Sequence, residues 1–142
     1  MRVSSILNAK GRDVICVAPD NSVAEVLDVL TRHRISAVVV GWAGRIEGVF
    51  SERDVIYALA ARGPGILAER VATHMTREVI TCTPEDGLDD VMRTMTHRRI
   101  RHLPVLERGA LAGILSIGDL VKFRLDELEN DAEALRDYIA HA

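Results

Sequence analysis

Apolar residues recur along this chain in two rhythms, alternation and a three-to-four spacing, and the same succession occurs twice. Val14 to Val17 is a short β-branched run that stops at Pro19, a residue that cannot continue a central ladder, so a strand is predicted. Val23, Val26, Leu27 and Leu30 follow at helical spacing, with Ser22 and Glu25 placed as a capping box. Ala37 to Val40 and Ile46 to Phe50 are then predicted strands, joined by a turn holding Gly41 and Gly44, and a second helix is expected from Ser51. A connector, Ala61 to Ala72, carries Gly63, Pro64 and Gly65, with a short helix expected from about Ile66. The succession then returns: a strand Val79 to Thr81 ending before Pro84, a helix through Leu88, Val91, Met92 and Met95 that Asp86 is placed to cap, strands Leu103 to Leu106 and Leu111 to Leu115 around Gly109, and a helix from Ser116.

Laying Val14 on Val79 gives an offset of 65 that runs without a gap to Asp54 on Asp119. Pro19/Pro84, Arg34/Arg99, Ile35/Ile100, Gly48/Gly113, Ser51/Ser116 and Asp54/Asp119 are among its identities, so the pattern is a duplication. Each copy reads β-α-β-β-α and is too small to bury a robust core alone, so the copies are expected to pack about a pseudo-twofold axis. The expected division is 1–62 for the first copy, 63–125 for the second and 126–142 for a helical tail.

Composition narrows the function. With 48% hydrophobic and 27% charged residues the chain is expected to fold, and a net charge of −3 argues against nucleic acid, whose phosphates favour a basic surface. No run reaches a membrane span, and Met1 to Lys10 lacks the order of a secretory signal, so a cytoplasmic location away from membranes is expected. Of the 18 basic residues only Lys10 and Lys122 are lysines. Cys16 and Cys82 have no metal or redox spacing and read as small buried hydrophobes. His74, His97, His102 and Cys82 match no zinc pattern, so no metal site is expected.

The chemistry concentrates where strand turns to helix. Gly48-Val49-Phe50-Ser51-Glu52-Arg53-Asp54 is echoed by Gly113-Ile114-Leu115-Ser116-Ile117-Gly118-Asp119. A serine at a helix start beside free amides suits an anion, and a carboxylate three residues on can accept two hydrogen bonds from a ribose diol. The same Ser-x-x-Asp is also a cap, and both readings stand on the residues alone; the glycine ahead of it, which capping does not require, is what favours a ligand. Arg101 and His102 are candidates for phosphate charge, or else part of a solvated basic rim. No Gly-x-Ser-x-Gly elbow is present, so catalysis is not expected and no catalytic residue is assigned.

These junctions, with the Pro19 and Pro84 strand ends and the Ile35-Ser36-Ala37 and Ile100-Arg101-His102-Leu103-Pro104-Val105 strands, resemble the CBS domain pair, the tandem cystathionine-β-synthase-type repeats also called a Bateman module. The resemblance implies an α+β fold of two pseudo-twofold-related repeats packed sheet to sheet, with two nucleotide clefts. In one, Asp54 would hold ribose, Ser51 and Arg53 phosphate, and Val49, Thr83, Leu88 and Ile100 the base, with Arg101 and His102 adding charge. In the other, Asp119 and Ser116 would do the same beside Gly118, with Ile114, Ala18, Val23, Ile35, Ser36 and Ala37 around the base. The first cleft is expected to take the more highly charged phosphate group.

The resemblance further implies a stand-alone regulatory module, in which AMP is favoured over ADP, ATP, S-adenosylmethionine or NAD(H) and no cofactor is required. It adds a homodimer, and since no effector domain accompanies the repeats a separate effector protein is expected. The competing reading is a structural or interaction module with empty clefts. Leu125, Leu128, Ala132, Leu135 and Ile139 form an a/d-like apolar stripe in the tail, too short for an independent coiled coil and expected to pack on the chain's own domain or on a second subunit.

Overall fold

A computed structural model describes all 142 residues. From the N-terminus run α1 (Val3–Lys10), β1 (Cys16–Val17), α2 (Val23–His33), β2 (Ala37–Trp42), β3 (Arg45–Ser51) and α3 (Glu52–Arg62). A 3-10 turn, Pro64–Ala68, and the single turn α4 (Val71–His74) form the connector. Then follow α5 (Leu88–Arg98), β4 (His102–Glu107), β5 (Ala110–Ser116) and α6 (Ile117–Ala140). The fold is α+β, and the repeat governs its detail: α2 and α5 both end on an arginine with φ 54°, and the β2–β3 and β4–β5 hairpins both carry a bulge at matching positions. No helix is long and apolar enough to cross a membrane.

Sheet topology departs from the expected symmetry in one place. The first copy has three strands, β1 parallel to β2 and β2 antiparallel to β3, whereas the second has only β4 and β5. Val79 to Thr81 forms no strand; Cys82 alone bridges Val105. Pro104 explains it. In the first copy the Val39 amide donates to the Ile15 carbonyl at 3.4 Å, and the residue matching Val39 is Pro104, which has no N–H to give. Only the Cys82 amide to the Pro104 carbonyl (3.1 Å) and the Leu106 amide to the Cys82 carbonyl (2.8 Å) remain.

Each hydrophobic core borrows a segment from outside its own copy. Val3, Ile6 and Leu7 of α1 lie ahead of the first copy's strands yet are buried in the second core with Leu88, Val91, Leu103 and Leu115. Ile66, Val71, Ala72 and Met75 of the connector complete the first core with Val26, Val38 and Phe50. This exchange corrects the purpose assigned to the paired glycines. A Cβ on Gly48 would sit 2.6 Å from Met75 Sδ and 2.8 Å from the Thr76 carbonyl oxygen, and one on Gly113 would sit 2.7 Å from Leu7 Cδ2. The glycines admit the borrowed segments, so their recurrence is explained by packing.

Local signals were mostly realised. The Ser22–Glu25 capping box forms, with both hydrogen bonds at 3.1 Å. Asp86, expected to cap α5, instead accepts from the Thr83 amide at 2.9 Å, as Asn21 does from Ala18 in the first copy, and Gly87 occupies the cap. Cys82 is buried, and burial first, then Asp86, pushes its thiol up to about 12. Cys16 is exposed, contrary to expectation, on the outer face of the edge strand β1. The tail does not pack on its own domain; it continues α6 outward, exposed from Leu128 onward.

Candidate functional site

Both strand-to-helix junctions place their serine at the helix cap. The Ser116 amide donates to Asp119 Oδ2 at 2.8 Å and the Asp119 amide to Ser116 Oγ at 3.1 Å. The Ser51 amide donates to Asp54 Oδ2 at 2.9 Å, with Ser51 Oγ donating to the same oxygen at 3.2 Å. Capping therefore uses one oxygen of each carboxylate. The copies diverge in the other contacts. Asp54 Oδ1 accepts from Thr76 Oγ1 at 3.1 Å, whereas Lys10 Nζ reaches Asp119 Oδ2 at 2.6 Å and the Ile114 carbonyl at 2.9 Å. The residue matching Lys10 in the connector is Met75, so the Asp54 junction receives no such charge.

A cleft of about 400 Å³ opens beside Asp119, lined by both copies. Of the residues expected there, Ile35, Ser36, Ala37, Ile114, Ser116 and Asp119 are brought together. Ala18, Val23 and Gly118 are not; Val23 is fully buried in the first core. Leu88, expected in the other cleft, is likewise a core residue. His102 was expected near Asp54, yet its Nε2 lies 2.8 Å from Ser36 Oγ and it lines the Asp119 cleft. Arg53 donates to the Arg99 carbonyl at 3.1 Å. Lys10, Arg34 and His102 thus line the Asp119 cleft together with Asp13.

Lys10, Asp13, Val14, Ile15 and Arg34 are the lining residues the sequence reading did not name. The scarcity of lysine was the available signal for Lys10, since one of only two in the chain stands here. Burial raises the Asp119 carboxyl, but the Lys10 ammonium and the Ser116 amide more than offset it and hold the group below the ordinary range. Burial pushes the His102 imidazole below 6.5, with Asp119 acting against the shift.

The sign of the His102 shift fixes a pH dependence. A depressed imidazole contributes stability that is full above about 6.5 and is lost as pH falls through the group's own lowered value, because the unfolded chain binds the proton more readily. Thermal unfolding between pH 8 and 5 should show the melting temperature falling on the acid side, and His102→Gln should reduce that fall. An unchanged profile in the variant would remove His102 as its source.

The family model described as CBS domain matches residues 3–61 and again 68–126. The mitochondrial CBS domain-containing protein CBSX3 of Arabidopsis thaliana is 30% identical, the alignment covering 96% of this chain and 71% of that protein. A CBS-domain-containing protein of Agrobacterium tumefaciens has a crystal structure with TM-score 0.85 and 46% identity, over 87% of this chain and 99% of that one. A CBS domain protein of Pyrobaculum aerophilum, solved in complex with AMP, has TM-score 0.74 and 28% identity, over 84% and 89% of the two chains.

Proposed function

Because the chain belongs to the CBS domain family, we propose that it is a stand-alone regulatory module that binds an adenosine nucleotide, AMP first, in the cleft beside Asp119 and signals to a separate protein. The observation that carries the reading is the cleft itself: one wall comes from each copy, a carboxylate with Oδ1 free of protein partners faces it, and a lysine stands at its edge. Asp119 accepts the ribose diol while Ile35, Ala37 and Ile114 flank the base. Lys10 turns from the carboxylate to the phosphate, so the charge it leaves is replaced by the diol's hydrogen bonds and the charge it meets is opposite. The Pyrobaculum aerophilum relative supports AMP by its bound ligand.

A ligand that touches both copies favours one mutual orientation in proportion to its affinity difference between orientations. That gives an effector something to read, and no chemical step is required of the module. Asp54, with Ser51, Arg53, Val49, Thr83, Ile100 and Arg101, is the second site. The homodimer is supported by a cavity of about 410 Å³ between α2 and α3, walled by Leu27, Leu30, Ile35, Val55 and Ile56, beside the exposed Tyr57.

Titration calorimetry with AMP, ADP, ATP, NAD(H) and S-adenosylmethionine tests the ligand. Micromolar binding of AMP is expected, and at a hundredfold excess over Kd the native state gains about 2.7 kcal/mol, which a thermal shift registers. Indifference to every nucleotide would instead favour an interaction module with empty clefts.

A further inference from the structure

The apolar face of α6 has nothing within the chain to cover it. Every residue from Leu128 to Ala140 is exposed, including Leu128 at 57%, Leu135 at 59% and Ile139 at 65%. A solitary helix of that length is marginal in water, since isolated helices below ~12–15 residues barely form. The exposed apolar positions Val121, Leu125, Leu128, Leu135 and Ile139, with Ala132 between, are spaced alternately by four and three residues, the seam of a two-stranded coiled coil.

We propose that this face pairs with α6 of a second copy, parallel and in register. The flanking charges select that arrangement. A parallel pair sets Arg124 against Glu129 of the second copy and Asp131 against its Arg136, each contact occurring twice by symmetry. The antiparallel register that would also bring all six seam positions together sets Glu129 against Glu129, Asp131 against Asp131 and Lys122 against Arg136. Arg124 is already bonded to Asp89 and Glu127 of its own chain, so Asp131 with Arg136 contributes the new attraction. Leucine at 128 and 135, alternating with Leu125 and Ile139, fits a two-stranded parallel core. The pairing deepens the homodimer reading above and is independent of the nucleotide.

Cysteine cross-linking in the full chain tests it. In a Cys16→Ser background, Leu135→Cys places two thiols across the seam, whereas Asn130→Cys places them on opposite outer faces. Under oxidised glutathione, Leu135→Cys is expected to form a covalent dimer at least tenfold faster than Asn130→Cys. Equal rates, or no cross-link in either, would overturn the pairing. A mixture of Leu125→Cys and Leu135→Cys chains that links the two to each other faster than like to like would overturn the parallel sense. A chain that sediments as a dimer yet fails to cross-link at 135 would overturn the α6 pairing while leaving the dimer reading in place.

Discussion

Replacing Leu7 by alanine is expected to unfold the second copy before the first, although Leu7 lies at the start of the chain. Its side chain is 1% exposed in the core built by Leu88, Val91, Leu103 and Leu115. Truncating such a leucine costs about 2–5 kcal/mol, from lost burial and the cavity left behind. That is a large share of the 5–15 kcal/mol that typically holds a domain together, so the effect falls on whether the second copy persists. Hydrogen exchange should show amides of β4 and β5 losing protection at lower denaturant than those of β2 and β3; the reverse order would sink the exchanged-segment description. Gly113→Ala sharpens the test. Alone it crowds Leu7 and should destabilise by about 1–3 kcal/mol. In the Leu7→Ala background its methyl enters vacated space, so the two losses should fall short of additivity.

Asp119→Ala should weaken AMP binding at least tenfold, about 1.4 kcal/mol. The variant also loses a helix cap, worth about 0.5–2 kcal/mol of stability without ligand. Ser116→Ala separates the two effects, because it removes the hydroxyl cap and keeps the carboxylate. Comparable melting temperatures with much weaker binding only in Asp119→Ala assign the carboxylate to the ligand. Equal affinities for adenosine, which offers Ser116 no phosphate, in both variants would reduce it to a cap. Lys10→Ala gives a further discrimination: AMP binding should weaken while adenosine binding is unaffected, since adenosine has no phosphate for the ammonium to meet. Asp54→Ala should leave the first binding event unchanged.

Much of the architecture was legible because duplication doubles every local signal. Strand ends at proline, helical spacing and the turn glycine Gly44 each had a second witness 65 residues away, so helices and hairpins fell close to their expected places. The misses arose where a property depends on contacts distant in sequence. Pro104 silences a ladder bond whose other partner is some 24 residues earlier, at the position matching Ile15, and neither residue alone reveals that. Gly48 and Gly113 looked like room for a ligand because the segments packed against them, Met75 and Leu7, belong to neither hairpin. Six residues of the Asp119 cleft were readable from strand and helix positions, but Lys10 reaches it from before the repeat begins. His102 was assigned to the wrong cleft because its side chain meets Ser36, a contact across the copies that strand order could not show.

The exchange of segments between the two cores also sets an order of assembly. As the chain leaves the ribosome, domains generally complete themselves from the N-terminal side. The first copy can close as soon as residues 66–75 have emerged, since its borrowed segment follows it directly. The helix Val3–Lys10 must wait for Leu115 and Leu120 at the far end of the second copy, its apolar side wet throughout synthesis. A helix made ahead of both hairpins is thus among the last elements to settle, docking only once the second core is there to receive it.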